Sequence, residues 1–310
     1  MDDYAAVTPR ELSSATTTLA ASSTRASSRK TRVYAFREFL LQSYGSYLQN
    51  AQLNNKATTP IVLDVAGGKG DLSWLLQNVD GINSVVLDPH GDVSKCSIPK
   101  SVRYLMEHPD EAEQRAVPGL PTHQPLAGLI PKLVGRDEFV TPWHLPVCLD
   151  QELVDRIKDV VDGRVNAIDE WKLFWDTRMN NNCVGKQDHA IDFKINTAIS
   201  DADQALKTFL NIALVAGFHP DQATDYCIEL AEILRVPFCI VPCCVFPSEF
   251  PNRRFLHTKE KVQNYTQLIQ YLREKCPQAK IAYLYFHFAE TAKNLVLYTV
   301  PAATSYHTRG

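Results

Sequence analysis

A short apolar segment that runs into a glycine-rich turn constrains the fold of this 310-residue chain most strongly. Residues 61–65 read IVLDV and residues 66–70 read AGGKG, and the next stretch, DLSWLLQNV, has apolar residues at helical spacing. A second apolar run, INSVVLDP, then ends in an aspartate and a proline. This strand–turn–helix–strand order predicts a parallel β-sheet with helical crossovers.

The last third of the chain returns to the same alternation of strands and helices. The predicted strands there are 209–217, 236–244, 281–288 and 294–300, and the predicted helices are 221–235 and 261–275. The last two strands are separated by only a few polar residues, which predicts a closing pair. The expected fold class is therefore α/β: a Rossmann-like sheet, mostly parallel with an antiparallel last strand, plus a large insertion after the second strand.

The region between these two alternating parts is irregular. Residues 90–205 are rich in proline, histidine and charge, and helices are predicted only near 151–161 and 168–178. Loops of this length inside a compact domain are rare unless they have a function of their own. We therefore expect an insertion that forms a lid or a substrate subdomain.

The two alternating parts, 31–89 and 206–303, are expected to make one ligand-binding domain. Residues 33–53 have the apolar spacing of an amphipathic helix that leads into it. Residues 1–30 have the low complexity of a disordered tail.

The composition limits the compartment and the partners of the chain. Its longest apolar runs fall far below the roughly 20 residues of a membrane helix, so no membrane partner is expected. The eight scattered cysteines indicate reduced thiols and a cytoplasmic or nuclear protein. The first residues lack a signal-peptide core, and Asp2, Asp3 and Glu11 disfavour a mitochondrial presequence.

The glycine turn has the chemistry of a nucleoside-binding site. Glycines let a ligand approach the backbone closely, and the helix that follows presents free N–H groups. The next strand ends in Asp88, 18 residues after Gly70, where a carboxylate can accept both ribose hydroxyls. The turn lacks the first, third and sixth glycines of nicotinamide-binding sites. A purely structural turn and a site for another nucleotide are the alternatives.

Two further segments lie at predicted strand ends, where ligands bind in open α/β sheets. Residues 217–225 read GFHPDQATD, and residues 241–247 read VPCCVFP. With the glycine turn, they resemble class I S-adenosylmethionine-dependent methyltransferases. Within that superfamily they resemble the branch of the acceptor-stem tRNA 2′-O-methyltransferases and related methyltransferase-like proteins, which has a His-x-Cys-Gly-x-x-Thr-Asp-like turn and a strand that ends in Cys-Cys.

The resemblance covers about residues 60–90 and 208–300 and is partial. Pro220 and Asp221 stand where the branch favours other residues, and its zinc-finger cysteines have no counterpart here. The resemblance implies S-adenosyl-L-methionine as the cofactor, bound by residues of the turn and of the neighbouring strand ends. These expected cofactor-binding residues are Asp64, Ala66, Gly67, Gly68, Gly70, Asp88, Pro89 and Gly217.

The side chains after the later strands are candidates for catalysis and substrate binding. His219 is the natural base for a hydroxyl acceptor because its unperturbed pKa is about 6.5, and Asp221 is the second candidate. Alternatively, His219 caps the following helix, and Asp221 is an acid favoured at a helix start. We expect Cys243 and Cys244 to line the substrate crevice, although a covalent cysteine mechanism is an alternative. No metal site is expected, because adjacent cysteines in a strand point to opposite faces.

The charge distribution leaves the acceptor open. The net charge of −3 and the pI near 6.3 give no global basic field for nucleic acid. The loop after the cysteine pair, however, carries a basic surplus that includes Arg253 and Arg254, and such a loop can hold phosphates. We therefore favour an RNA methyltransferase that acts on tRNA or rRNA. A solvated surface loop, a small-molecule or protein acceptor, and a non-catalytic cofactor-binding protein are the alternatives.

Overall fold

The computed structural model describes residues 27–54, 59–108, 138–184, 197–284 and 293–301, with positions 110, 129 and 132–136 between them. The helices are α1 (Ser27–Asn54), α2 (Asp71–Asp80), α3 (Ile98–Glu107), α4 (Gln151–Val161), α5 (Ala167–Val184), α6 (Ala202–Leu210), α7 (Thr224–Leu234) and α8 (Tyr265–Lys275). The strands are β1 (Ile61–Val65), β2 (Ser84–Leu87), β3 (Trp143–Leu145), β4 (Ile212–Phe218), β5 (Phe238–Val241), β6 (Lys280–Tyr283) and β7 (Leu295–Tyr298).

Within the described residues, the strands form one sheet in the order β3-β2-β1-β4-β5-β7-β6. The pairs from β3 to β5 are parallel, whereas β7 runs antiparallel to both β5 and β6. The predicted fold class is thus confirmed: a Rossmann-like α/β sheet, mostly parallel, with an antiparallel last strand.

Both faces of the sheet are covered, as the apolar strand sequences predict. Alternate residues of a strand point to opposite faces, so Leu63 and Val65 join the core on one side of β1 while Val62 joins the core on the other. The helices α4 to α8 supply the first core. The second core is closed by α1 and α2, where Phe36 and Leu40 of α1 lie one helical turn apart.

The predicted helix 33–53 forms, and α1 extends it in both directions. Arg37 makes a buried ion pair with Asp80 at the end of α2, which ties the two helices together. The Tyr44 hydroxyl lies 3.0 Å from the carbonyl oxygen of Phe238 and 2.8 Å from that of Thr299. The expected tail lies outside the described residues except for its last four, which begin α1.

The region 90–205 contributes to the sheet and to its core. Residues 143–145, where no strand was predicted, form β3 and pair in parallel with β2. Trp171 and Trp175 of α5 are fully buried and pack with Phe209 in the same core as β1. Phe209 lies in α6, so the strand predicted from 209 begins at Ile212 instead. A lid or substrate role for this region stays a prediction, and 111–128 lie outside the described residues.

Local signals explain where several helices begin and end. Asp150, Asp201 and Asn264 accept backbone N–H bonds at the starts of α4, α6 and α8. Gly81, with a φ of +66°, ends α2 in the left-handed conformation that glycine adopts without strain. No helix among the described residues has the length and apolar character needed to cross a membrane.

We expect Trp171→Ala to destabilise the whole domain by about 3–5 kcal/mol, because it empties a core site shared with the sheet. Trp171 stacks on Trp175 at 5.4 Å, and its indole N–H donates to the Ala202 carbonyl at 2.8 Å. Urea unfolding followed by circular dichroism measures this loss. Leu173→Ala on the same helix is the control, because Leu173 is 71% exposed and its loss should change stability by less than about 0.5 kcal/mol. An unchanged main transition for Trp171→Ala would mean that this region folds separately.

Candidate functional site

The order of the sheet reverses between β1 and β4, and ligands of open α/β sheets bind at such a switch point. Val65 at the end of β1 is in register with Gly217 of β4, so Ala66 and His219, the first residues after the two strands, leave the sheet close to the crevice. Both have a positive φ, +54° for Ala66 and +61° for His219, which is strained for residues with a Cβ. Strained residues on both sides of one crevice mark a functional site.

The glycine turn is built around the buried carboxylate of Asp64. A Cβ on Gly67 would lie 2.6 Å from Asp64 Oδ2, so only glycine fits there. Gly68 and Gly70 have φ values of +58° and +72°, which favour glycine as well. These glycines were predicted from the sequence. The structure shows that Gly67 makes room for the Asp64 carboxylate, whereas Gly68 and Gly70 allow the turn.

Asp64 is 1% exposed, and its Oδ2 accepts a hydrogen bond from the Ser73 hydroxyl at 2.9 Å. Burial raises the pKa of this carboxyl from its ordinary 3.8 to about 7, although the Ser73 hydrogen bond opposes the shift. Asp71 and Asp88 add to the rise through charge repulsion. In the described part of the chain, no cation offsets the charge of Asp64.

Asp88 follows β2 beside the glycine turn, as predicted. Its Oδ2 accepts from the Gly68 N–H at 3.0 Å and its Oδ1 from the His90 N–H at 2.8 Å. A carboxylate has about four acceptor positions, so Asp88 can still accept bonds from a ligand. The His144 ring lies next to the backbone of Asp88, with its Nε2 2.7 Å from the Asp88 carbonyl oxygen. Pro89, also expected at the site, is half-buried in the turn that follows Asp88.

His219 joins the ends of β4 and β5. Its backbone N–H donates to the Val241 carbonyl at 3.2 Å, and its ring meets the Phe218 ring edge-on with the centroids 4.5 Å apart. The helix α7 begins after Ala223 without a side-chain cap, and so does the short 3₁₀ turn before it. Both interpretations of His219, as a base and as a cap of the following helix, stay predictions.

Asp221 and the cysteine pair come together after β4 and β5. The Cys243 thiol donates to Asp221 Oδ1 at 3.0 Å, and the ligand atoms of Asp221, Cys243 and Cys244 lie within 4.8 Å of one another. The expectation that the two thiols point to opposite faces is wrong, because β5 ends at Val241 and the pair lies beyond the strand. Burial and the neighbouring Asp221 carboxylate raise the pKa of the Cys243 thiol.

Arg253 does not have the substrate-binding position expected of it. Its side chain is buried in an ion pair with Asp225 of α7, with Nε donating to Asp225 Oδ2 at 2.8 Å. Its Nη1 donates to the Val245 carbonyl at 2.6 Å, and the guanidinium lies over the Phe250 ring at 4.0 Å. This correction has a physical reason: a guanidinium enclosed on all sides has no surface for a phosphate.

Arg254 points outward on the same loop and keeps its candidacy for substrate binding. Its Nη1 donates to the Lys259 carbonyl at 2.9 Å, and its backbone forms a bridge with Lys261. Phe255 and Val262 anchor this short hairpin in the core. The exposed cations Arg254, Lys259 and Lys261 are therefore held on a rigid support.

Surface clefts lie elsewhere on the molecule. One of about 660 Å³ lies between α4 and α7 and is lined by Gln151, Val154, Glu229 and Arg235 among others. Another of about 1000 Å³ lies along α8, beside Tyr265 and Lys293. Neither includes the glycine turn. We place the site at the switch point because the strained residues and the buried acid are there.

Three residues that support the site and its loops were given no role at the sequence level. Ser73 carries the hydrogen bond to Asp64, His144 supports the backbone of Asp88, and Asp225 holds the basic loop through Arg253. Ser73 and His144 carry no sequence signal, because their partners come from other strands. Asp225 belongs to the Thr-Asp pair of the quoted motif, and both members of that pair, Thr224 and Asp225, are buried.

We expect Arg253→Ala to lower the free energy of unfolding by about 3–5 kcal/mol, because it leaves Asp225 buried without its main partner. Arg254→Ala is the matched control: it removes the same charge from an exposed position and should change stability by less than about 0.5 kcal/mol. Chemical unfolding of both variants measures the difference. Equal small losses would place Arg253 on the surface.

The raised pKa of Asp64 makes stability depend on pH. The folded state holds the proton of Asp64 more tightly than the unfolded state. The stability that this proton contributes is therefore fully present below about pH 4 and is lost as the pH rises to about 7. We expect the free energy of unfolding of Asp64→Asn, relative to that of the wild type, to rise by on the order of 2–3 kcal/mol as the pH goes from about 5 to about 8. Urea unfolding at both values tests this, and parallel pH profiles of the two proteins would contradict it.

No family model matches this chain, and no curated protein and no solved structure matches it either. The fold itself is that of a Rossmann-like α/β sheet. Function is therefore inferred from the residues at the switch point.

Proposed function

We propose that this chain is an S-adenosylmethionine-dependent methyltransferase, with RNA, either tRNA or rRNA, as its acceptor. The observation that carries the proposal is a glycine turn at the switch point that lies between two carboxylates, Asp64 and Asp88. The sequence resemblance to class I methyltransferases supports the same cofactor.

The charges around the turn favour a cationic ligand. Asp64 lies beneath it, Asp88 beside it and Asp71 in the first turn of α2, whereas Lys69 is exposed. A pyrophosphate at this helix start would meet three acids, although helix starts otherwise attract anions. S-Adenosylmethionine carries a sulfonium and an ammonium, and either positive charge stabilises the ionised form of Asp64.

The sheet order also separates this chain from the nicotinamide-binding enzymes. Their strands follow the order 3-2-1-4-5-6. Here the antiparallel β7 is inserted between β5 and β6. A mostly parallel sheet with an antiparallel last strand is the sheet that the resemblance to methyltransferases implies.

The cofactor supplies a methyl group on a sulfonium, which an acceptor attacks in line with the departing sulfur. The chain has to align the acceptor and exclude water, which can supply several kcal/mol, about 7–11 at best. Asp88 would accept bonds from the ribose hydroxyls, and the turn would hold the amino-acid end of the cofactor. His219 would take the proton of a hydroxyl acceptor, with Asp221 as the second candidate.

The anchored hairpin supports RNA as the acceptor. Arg254, Lys259 and Lys261 are exposed on it. It follows the loop that begins with the Cys243–Cys244 pair and is anchored in the core. Because the backbone of the hairpin is anchored, phosphate binding there does not have to order the loop first. Arg253, which is buried, has no part in this binding.

We expect Asp88→Ala to weaken S-adenosylmethionine binding at least about tenfold, or about 1.4 kcal/mol, because the ribose loses its acceptor. Titration calorimetry measures this directly. Asp92→Ala is the matched control: it removes the same charge four residues later, where the Asp92 carboxylate is held by Ser94 and Lys95. Unchanged affinity in a folded Asp88→Ala protein would overturn the cofactor assignment.

The acceptor is tested separately, with radiolabelled cofactor and fractionated RNA, protein and metabolites. We expect the label in the tRNA or rRNA fraction, and less of it when Arg254, Lys259 and Lys261 are changed to Ala. Label confined to protein or metabolites would overturn RNA as the acceptor but would leave the methyltransferase proposal standing.

A further inference from the structure

Asp221, Cys243 and Cys244 form a compact group of metal-ligating side chains within the described residues. Asp221 comes from the loop after β4, and the two cysteines come from the loop after β5. Their ligand atoms all lie within 4.8 Å of one another. Asp221 and Cys244 are exposed and Cys243 is half-buried, so an ion from solvent can reach all three.

These separations are close to those of ligands that share one ion. A zinc–sulfur bond is about 2.3 Å and a zinc–oxygen bond about 2.0–2.2 Å, so ligand atoms around a tetrahedral zinc lie roughly 3.5–3.8 Å apart. The Cys243 sulfur and Asp221 Oδ1 are already 3.0 Å apart.

The two loops are also held in place by contacts outside the group. His219 N–H donates to the Val241 carbonyl at 3.2 Å, just before the cysteines. The Tyr265 hydroxyl donates to the Pro242 carbonyl at 3.1 Å, and Gln222 bonds Glu249 at 3.0 Å. Asp221 has a φ of +47°, and Phe246, beyond the cysteines, also has a φ of +47°. These positive φ values show that contacts with the surrounding structure hold both loops in their conformations.

We propose that Asp221, Cys243 and Cys244 bind one Zn²⁺ ion, with solvent in the fourth position. Two thiolates and one carboxylate suit zinc, whereas Mg²⁺ and Ca²⁺ require oxygen ligands throughout. Binding releases two thiol protons to the buffer and leaves two thiolates and a carboxylate on the ion, and nothing is oxidised or reduced. Three protein ligands with one open position are typical of catalytic rather than structural zinc sites.

This zinc site stands whether or not the chain transfers methyl groups. It lies at the same sheet edge as the glycine turn, because β1, β4 and β5 are parallel neighbours. The open position would take an oxygen or sulfur atom of a small molecule, or a water whose pKa the ion lowers.

The test uses the full chain, reduced and freed of metal, and titrates it with Zn²⁺ against a chromophoric chelator. We expect one equivalent to bind, and Cys243→Ser, Cys244→Ser and Asp221→Asn each to weaken binding at least about tenfold. Asparagine is chosen at 221 because it tolerates a positive φ. Cys148→Ser is the matched control, because Cys148 is an exposed cysteine outside the group and its loss should leave zinc affinity unchanged.

Cobalt substitution gives a second readout that does not depend on the variants. Co²⁺ in the wild type should show thiolate charge-transfer absorption together with the visible bands of a tetrahedral ion. Absence of these bands in the reduced protein would overturn the proposal. Equal zinc affinity in the wild type and in a folded Cys243→Ser/Cys244→Ser protein would overturn it as well.

Discussion

The position of β1 inside the sheet, between β2 and β4, decides where every other part of the site can lie. It pairs in parallel with β2 on one side and β4 on the other, and apolar residues cover both of its faces. A one-residue shift in its register would move every side chain of the strand, including Asp64, to the opposite face of the sheet. The residues that follow β1, β2 and β4 are therefore fixed at one edge, and with them the glycine turn, Asp88 and His219.

Two buried aspartates near this edge show how differently the fold treats a charge. Asp225 is 5% exposed and is neutralised by Arg253, so it stabilises the loop that it holds. Asp64 is 1% exposed and accepts hydrogen bonds from the hydroxyl and the backbone N–H of Ser73, and burial raises its pKa to about 7. A buried acid without a cation costs stability. Its position under a glycine turn makes a bound cationic ligand the natural compensation, which is why we regard Asp64 as functional and Asp225 as structural.

Local patterns in the sequence were enough to predict most of the fold. The apolar strands, the glycine turn and Asp88 are contiguous signals, and they lie where they were predicted, except that the strand expected from 209 begins at Ile212 and that 285–288 of another lie outside the described residues. The three-residue strand β3 was missed because WHL is too short for a period-two pattern. The burial of Arg253 was missed because its partner lies 28 residues away, and a basic residue looks the same in a sequence whether it is paired or exposed.

The cysteine pair shows how the absence of one backbone N–H changes the chemistry of a site. Proline has no N–H to donate to a neighbouring strand, and Pro242 follows the last residue of β5. Cys243 and Cys244 therefore leave the pleat, and their side chains no longer alternate between two faces. Both thiols can then approach Asp221, which comes from the loop of the neighbouring strand. The crevice thus has an acidic glycine turn on the β1 side and a thiol–carboxylate group on the β4–β5 side. These two halves differ in chemistry, and under the proposed function the first would hold the cofactor and the second the acceptor.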